Sequence, residues 1–193
     1  MTLRITGGDL RGRAVATPEG AATRPTASRV REAVFSMLGP LYGANVLDLC
    51  SGGGTLAFEA LSRGAETAVL VDDAEAAVAC AHQNAETYGV ADQVTVLHLD
   101  ALRAARRLAE EGQRFDVIFL DAPYSLAPRI ASRLDDVLAE LLEPGGRVVL
   151  EGDRKDPPRL SLPLDRERTY RDVLVQIHEA PQDIDRTQRP VGA

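Results

Sequence analysis

Four aspartates in this 193-residue chain each stand at the end of a short apolar run: Asp48 after Val46-Leu47, Asp72 after Ala68 to Val71, Asp100 after Val94 to Leu99, and Asp121 after Val117 to Leu120. If those runs are parallel strands, one edge of a sheet gathers four carboxylates. Two of the four adjoin residues that can shape a ligand site. Beyond Asp48 come Cys50, Ser51, Gly52, Gly53, Gly54 and Thr55, then a helical pattern in Leu56, Ala57, Glu59, Ala60 and Leu61. Strand, tight turn and helix in that order make a nucleotide-binding corner: glycine tolerates positive φ and, lacking Cβ, lets a ligand lie against backbone N–H groups. Beyond Asp121 come Ala122, Pro123 and Tyr124, which add a stiffened backbone and an aromatic ring to the carboxylate.

Gly52-x-Gly54-x-x-Ala57 satisfies the dinucleotide fingerprint, and Asp72 follows at about the spacing of its ribose-binding acid. Asp48 argues against that ligand. A pyrophosphate is drawn to a helix N-terminus by free amides and the dipole, and a carboxylate on the strand beneath would repel it. A cationic ligand is favoured instead. S-adenosylmethionine has an ammonium, a sulfonium and an adenosine but no phosphate, which suits an Asp before the glycines and another at the end of the next strand. The plain alternative is a Gly-rich turn in some other α/β protein. The group around Asp121 has the parts needed to methylate an exocyclic amine. That nitrogen's lone pair is delocalised into the base, so acceptors must hold its N–H groups, favour a tetrahedral nitrogen and stabilise the positive charge that develops. Asp121 and the carbonyl of Ala122 are such acceptors, and Tyr124 offers a face to an extruded base.

The elements that must position these groups alternate along the chain. Strands are predicted at 45–49, 67–71, 93–98, 115–120 and 147–150, with helices over 74–88, 101–111 and 127–142. Such alternation predicts an α/β fold with a parallel sheet, helices on both faces, and ligands at the C-terminal strand ends. Residues 152–164 read as a loop, 168–178 as one or two final strands, and the polar stretch from Ala180 as a mobile tail. At the other end, Leu3 to Thr6 and Arg13 to Ala16 suggest a β-hairpin around Gly7-Gly8 and Gly12. The helix after it has Val30, Val34, Met37, Leu38 and Leu41 on one face, which turns Arg29 and Arg31 away from the core.

A net charge of −7 argues against a polyanionic partner, but the average hides an asymmetry. Residues 1–31 hold Arg4, Arg11, Arg13, Arg24, Arg29 and Arg31 against Asp9 and Glu19. All these cations are arginines, suited to bidentate phosphate contacts and to stacking on bases. A basic arm on an acidic body is the pattern to explain. No apolar run approaches the roughly 20 residues of a membrane span and no leader pattern opens the chain, so the expectation is a cytoplasmic protein with no membrane partner. Cys50 and Cys80 read as buried or half-buried thiols rather than a disulfide. The scattered histidines, with Cys80 and His82 diverging on one helix, give no metal site.

Several of these stretches resemble a known family. The amino-methyltransferases have (Asp/Asn/Ser)-Pro-Pro-(Tyr/Phe) where this chain has Asp121-Ala122-Pro123-Tyr124. Three further stretches are similar to the RsmD family of bacterial 16S rRNA guanine-N2 methyltransferases. They are Arg4-Ile5-x-Gly7-Gly8-x-x-Arg11-Gly12-Arg13, Thr23-Arg24-Pro25-Thr26 with Arg29-Val30-Arg31-Glu32-x-x-Phe35, and Glu59-Ala60-Leu61-Ser62-Arg63-Gly64-Ala65. The resemblance covers residues 3–179. It implies a Rossmann-like class I methyltransferase with a seven-stranded, mostly parallel sheet whose last strand is antiparallel, and S-adenosylmethionine as methyl donor. Residues 1–43 would form an RNA-facing extension, 44–179 the methyltransferase domain and 180–193 a flexible tail.

Carried over by position, Asp48, Ser51, Gly52, Gly53 and Gly54 would flank the methionine part of the cofactor. Asp72 would hold the ribose, and Asp100 with Ala101 would meet the adenine. Asp121, Ala122, Pro123 and Tyr124 would hold the target guanine, while Arg4, Arg11, Arg13, Arg24 and Arg29 would contact RNA. The implied partner is 16S rRNA in a 30S assembly particle, approached by a monomer. Ala122 departs from the family's Pro; it keeps the carbonyl but frees φ, which loosens preorganisation. Two other functions fit the same residues: adenine-N6 methylation of RNA or DNA, and a non-catalytic ribosome-assembly factor that kept the fold.

Overall fold

The structure is a computed structural model that describes residues 3–18 and 28–182. The chain runs α1 (Ser28–Leu38), β1 (Asn45–Leu49), α2 (Thr55–Ser62), β2 (Thr67–Asp72), α3 (Glu75–Tyr88), β3 (Val94–His98), α4 (Ala101–Glu110), β4 (Phe115–Leu120), α5 (Ala127–Leu141), β5 (Leu142–Asp153), β6 (Leu164–Tyr170) and β7 (Val173–Glu179). These seven strands form one sheet in the order β3-β2-β1-β4-β5-β7-β6. The first five are parallel to one another, and β7 runs antiparallel to both β5 and β6. The expected seven-stranded α/β sheet is thus present. Because β1 lies between β2 and β4, the chain departs from it to opposite sides, and a crevice opens at the C-terminal ends of these strands.

Side chains of the central strands alternate between two apolar layers. Val46, Leu70, Val117 and Phe119 pack with α1, α2, α3 and with Ile5 and Val15 of the N-terminal arm. Leu47, Leu49, Val71, Ile118 and Leu120 pack with α4 and α5. Asp48 shares the pleat of Val46 and therefore faces the layer that holds α2. The arm is a hairpin closed by one antiparallel bridge, Arg4 to Ala14, with Val15 N–H donating to Leu3 O at 2.9 Å and Gly12 N–H to Ile5 O at 2.9 Å.

Three expectations need correction. Arg31 does not turn away from the core: it is 0% exposed, donating to the carbonyl of Arg4 at 2.6 Å and lying 3.9 Å from the carboxylate of Glu59. Strand β5 is longer than expected at both ends, pairing Leu142 with Phe115 before a bulge and running on to Asp153. The final strands, expected from residue 168, begin at Leu164, where β6 opens a hairpin with β7. Both cysteines are free thiols, Cys80 buried and Cys50 half-buried. Among the described residues no helix is long and apolar enough to cross a membrane.

Candidate active site

The turn after β1 takes left-handed backbone conformations, cheap at its glycines and strained at Cys50. Cys50 at φ 64° and Gly52 at φ 54° reverse the chain, and Gly54 at φ 82° opens α2. A Cβ on Gly54 would run into Leu70 Cδ2 and the Phe58 ring, whereas one on Gly52 would project into open space within the cleft. Asp72 ties this turn to the end of β2. Its Oδ2 accepts the Gly52 N–H at 2.8 Å and its Oδ1 accepts the Ala74 N–H at 3.0 Å. Behind the turn, Asn84 of α3 donates to the carbonyls of Gly53 and Ala16, both at 2.9 Å, and accepts the Ala16 N–H at 3.0 Å. The arm is thereby fastened to the glycine corner, and Thr17 and Pro18 line the cleft.

That cleft encloses about 1050 Å³ and brings together Asp48, Ser51, Gly52, Gly53, Asp72, Asp100, Ala101 and Asp121 to Tyr124. Asp48 lies at its floor, 1% exposed, with Oδ2 accepting the Ala57 N–H at 3.2 Å. Burial pushes its carboxyl well above the usual range, and repulsion from Asp121 and Asp72 adds to this. The Asp48 Oδ1 and the Ser51 Oγ are buried and find no hydrogen-bond partner among the described residues. Such atoms, beside an open Cβ position at Gly52, fit a ligand that brings its own donors and positive charge. Burial, with the fields of Asp72, Asp48 and Asp121, pushes the Cys50 thiol up to about 12, which favours the protonated form. Asp100 caps α4, its Oδ1 accepting the Arg103 N–H at 3.1 Å.

At the mouth of β4, Ala122 is buried while Tyr124 is 38% exposed. The Tyr124 O–H donates to Glu151 Oε1 of β5 at 2.8 Å, which fixes the ring while leaving a face to solvent. Burial and the Glu151 carboxylate raise this phenol, so it stays protonated as the donor. Sequence reasoning missed Glu151, as it missed the clamp around Glu59. That carboxylate, 0% exposed, accepts from the Thr6 N–H and O–H, the Gly7 N–H and the Arg63 guanidinium, so the arm is pinned to α2. A lone acid within an apolar helix was the available signal. Of the arginines expected to meet RNA, Arg4, Arg11, Arg13 and Arg29 are exposed, and Arg24 lies outside the described residues.

A family model described as "Conserved hypothetical protein 95" matches residues 3–177. The chain is 36% identical over 123 residues to the Ribosomal RNA small subunit methyltransferase D of Escherichia coli, covering 63% of this chain and 60% of that one. The chain belongs to the RsmD family of rRNA methyltransferases. It is also 35% identical over 156 residues to "Putative rRNA methyltransferase YlbH" of Bacillus subtilis, covering 79% of this chain and 84% of the relative. An RNA methyltransferase of Salinibacter ruber, solved with S-adenosyl-L-homocysteine, superposes with a TM-score of 0.66 at 25% identity, over 84% of this chain and 97% of that one. The protein is a class I methyltransferase and S-adenosylmethionine is its cofactor.

Proposed function

We propose that this methyltransferase modifies the exocyclic N2 amine of a guanine in 16S rRNA, acting in the cytoplasm as a monomer on a 30S assembly particle. The observation that carries the reading is the shared cleft: a buried carboxylate and glycine corner at one end, Asp121 with a half-exposed, hydroxyl-anchored Tyr124 at the other. S-adenosylmethionine supplies a methyl group activated by its sulfonium. Asp48 and the turn from Ser51 to Gly54 would hold the methionine part, with Asp48 answering its positive charge, the Ser51 hydroxyl available to it and the open position at Gly52 giving it room. Asp72 keeps a lone pair on each oxygen for the ribose hydroxyls, and Asp100 with Ala101 borders the adenine. Asp121 and the Ala122 carbonyl would accept the N–H groups of the guanine amine, favouring a tetrahedral nitrogen and stabilising the positive charge that develops as the N–C bond forms and the S–C bond breaks, with the carboxylate of Asp121 placed to take the proton the nitrogen then sheds. Tyr124 stacks on the base, worth about 1–3 kcal/mol, set against an unstacking cost of a few kcal/mol.

The arm explains why an acidic protein would meet RNA. Residues 1–43 would supply the RNA-facing extension and residues 44–179 the chemistry; of the expected tail, Ala180 is instead buried and donates to the Gly146 carbonyl at 2.8 Å, and residues 183–193 lie outside the described residues. Arg4, Arg11, Arg13, Arg24 and Arg29 would neutralise phosphates, while the acidic body discourages indiscriminate binding. The test is methylation of 30S particles and of free 16S rRNA, followed by mass spectrometry of the nucleosides. N2-methylguanosine is the expected product. N6-methyladenosine would transfer the reading to adenine, and tight particle binding without any methyl transfer would make the protein an assembly factor.

A further inference from the structure

The arm reaches the cleft from one face of the sheet, since Ile5 and Val15 belong to the apolar layer of α1 to α3. The opposite face carries α5, whose buried stripe, Ala127, Ala131, Leu134, Leu138 and Leu141, packs on the other layer. Its first two turns present Arg129 and Arg133 to solvent, and neither is in an ion pair among the described residues. Arg133 lines the cleft together with Leu126, which is 46% exposed just before the helix. The acids of α5 lie further on: Asp136 and Glu140 are exposed, and Asp135 is taken by the Ser161 N–H at 2.8 Å.

This charge order opposes what a helix prefers. Arg129 in the first turn and Glu140 in the last run against the macrodipole, and Arg129 and Arg133, four residues apart, repel each other. By contrast α3 begins with Glu75, as the dipole favours. Stability therefore does not account for arginines at 129 and 133, whereas a polyanion across the cleft mouth does. Exposed apolar and aromatic groups at Leu126 and Tyr124, beside two cations, are the composition that holds a single strand by stacking and charge.

Resting on the RNA reading above, we propose that the rim formed by Leu126, Arg129 and Arg133 is a second RNA contact surface, opposite the arm. Arg129 and Arg133 take phosphates beside the target nucleotide, and Leu126 packs on the base next to it. The strand would then be gripped from both faces of the sheet while the guanine enters between them.

The experiment compares wild type, Arg129→Gln/Arg133→Gln and Arg11→Ala/Arg13→Ala for binding to a 16S rRNA transcript across a salt series, with thermal midpoints and S-adenosylmethionine calorimetry alongside. At about 0.7–0.9 per contact, the glutamine variant should flatten the log–log salt slope by roughly 1.5 units. Its midpoint should hold or rise, because the helix loses two misplaced cations. Arg129→Gln alone should weaken RNA binding with cofactor affinity intact. An unchanged slope in the glutamine variant, with a flattened one in the arm variant, would overturn the rim and leave the RNA reading standing. A fall of several degrees in midpoint, with RNA affinity unchanged, would show the arginines to be structural. No salt-dependent binding by wild type would bring down the RNA reading and the rim with it.

Discussion

Asp72 and Asp121 end the two strands that flank β1, yet they sit in contrasting surroundings. Asp72 gives one oxygen to the Gly52 amide of the turn after β1 and the other to the Ala74 amide of its own loop, so the corner it closes is complete before any ligand arrives. Asp121 opens a segment whose next aromatic is exposed and steadied by one bond to the neighbouring strand β5. One end of the cleft is tied by bonds to backbone groups across β1, β2 and α3; the other depends on a side-chain bond between the mouth of β4 and β5. A cofactor of constant shape suits the first arrangement, and a base that must leave its own stack suits the second.

The largest effect that would test this contrast comes from exchanging the two acids for alanine. Asp121→Ala should lower single-turnover methyl transfer by about 10²–10³-fold, the scale of one preorganised electrostatic group, while cofactor affinity changes little. Asp72→Ala should do the reverse, weakening S-adenosylmethionine and lowering the thermal midpoint because two loop amides lose their acceptor. Equal rates of wild type and Asp121→Ala would remove Asp121 from the chemistry.

The same contrast explains what could be read from the chain. The strand–helix alternation, the glycine corner and the aspartates at strand ends are local patterns, and apart from the ends of β5 and the start of β6 they appear where expected. Arg31 escaped because the apolar face of α1 was judged without its partner: only the folded arm brings the Arg4 carbonyl to it, and only α2 brings Glu59. Glu59 stands out as the single acid of a helix buried from Leu56 to Ser62, but its partners Thr6 and Gly7 come from more than 50 residues away, so its spacing in the chain does not show what it binds. The start of β6 was hidden by its role. Leu164, Asp165, Arg166, Glu167 and Arg168 are all exposed on an edge strand, where charge guards against pairing with other chains and erases the apolar signal. Glu143-Pro144-Gly145-Gly146 reads as a turn, which masked the first residues of β5.

An intermediate effect concerns the pH dependence of the corner. Burial holds Asp48 above its ordinary value, so its contribution to folding is present below the unfolded carboxylate pKa of about 3.9 and is lost as pH rises towards the raised folded value. Relative to wild type, Asp48→Asn should therefore gain stability across that rise, seen as a flatter plot of thermal midpoint against pH. A cationic ligand favours the ionised carboxyl, so wild type should release protons on binding S-adenosylmethionine and bind it more tightly as pH increases. The asparagine variant should lose that pH dependence and bind about tenfold more weakly or worse, the scale of one hydrogen bond to a charged group. Calorimetry in buffers of different ionisation enthalpy reads both quantities. Identical proton release in the two proteins would place the titrating group elsewhere.

The smallest effect isolates the tether at the mouth of β4. Tyr124→Phe keeps the ring and its exposed face but removes the O–H that meets Glu151, leaving that carboxylate its other interactions. A hydrogen bond to a charged acceptor contributes about 1.5–3 kcal/mol when whole, but only the part that orders the ring bears on transfer, so a rate loss of about 2- to 10-fold is expected. Cofactor affinity should not move. Tyr124→Ala removes the stacking face as well and should cost more, in line with about 1–3 kcal/mol per stacked base. Measured on single turnovers with saturating RNA, the ordering wild type, then phenylalanine, then alanine separates orientation from stacking. A phenylalanine variant as slow as the alanine one would show that the hydroxyl, and with it β5, does more than steady the ring.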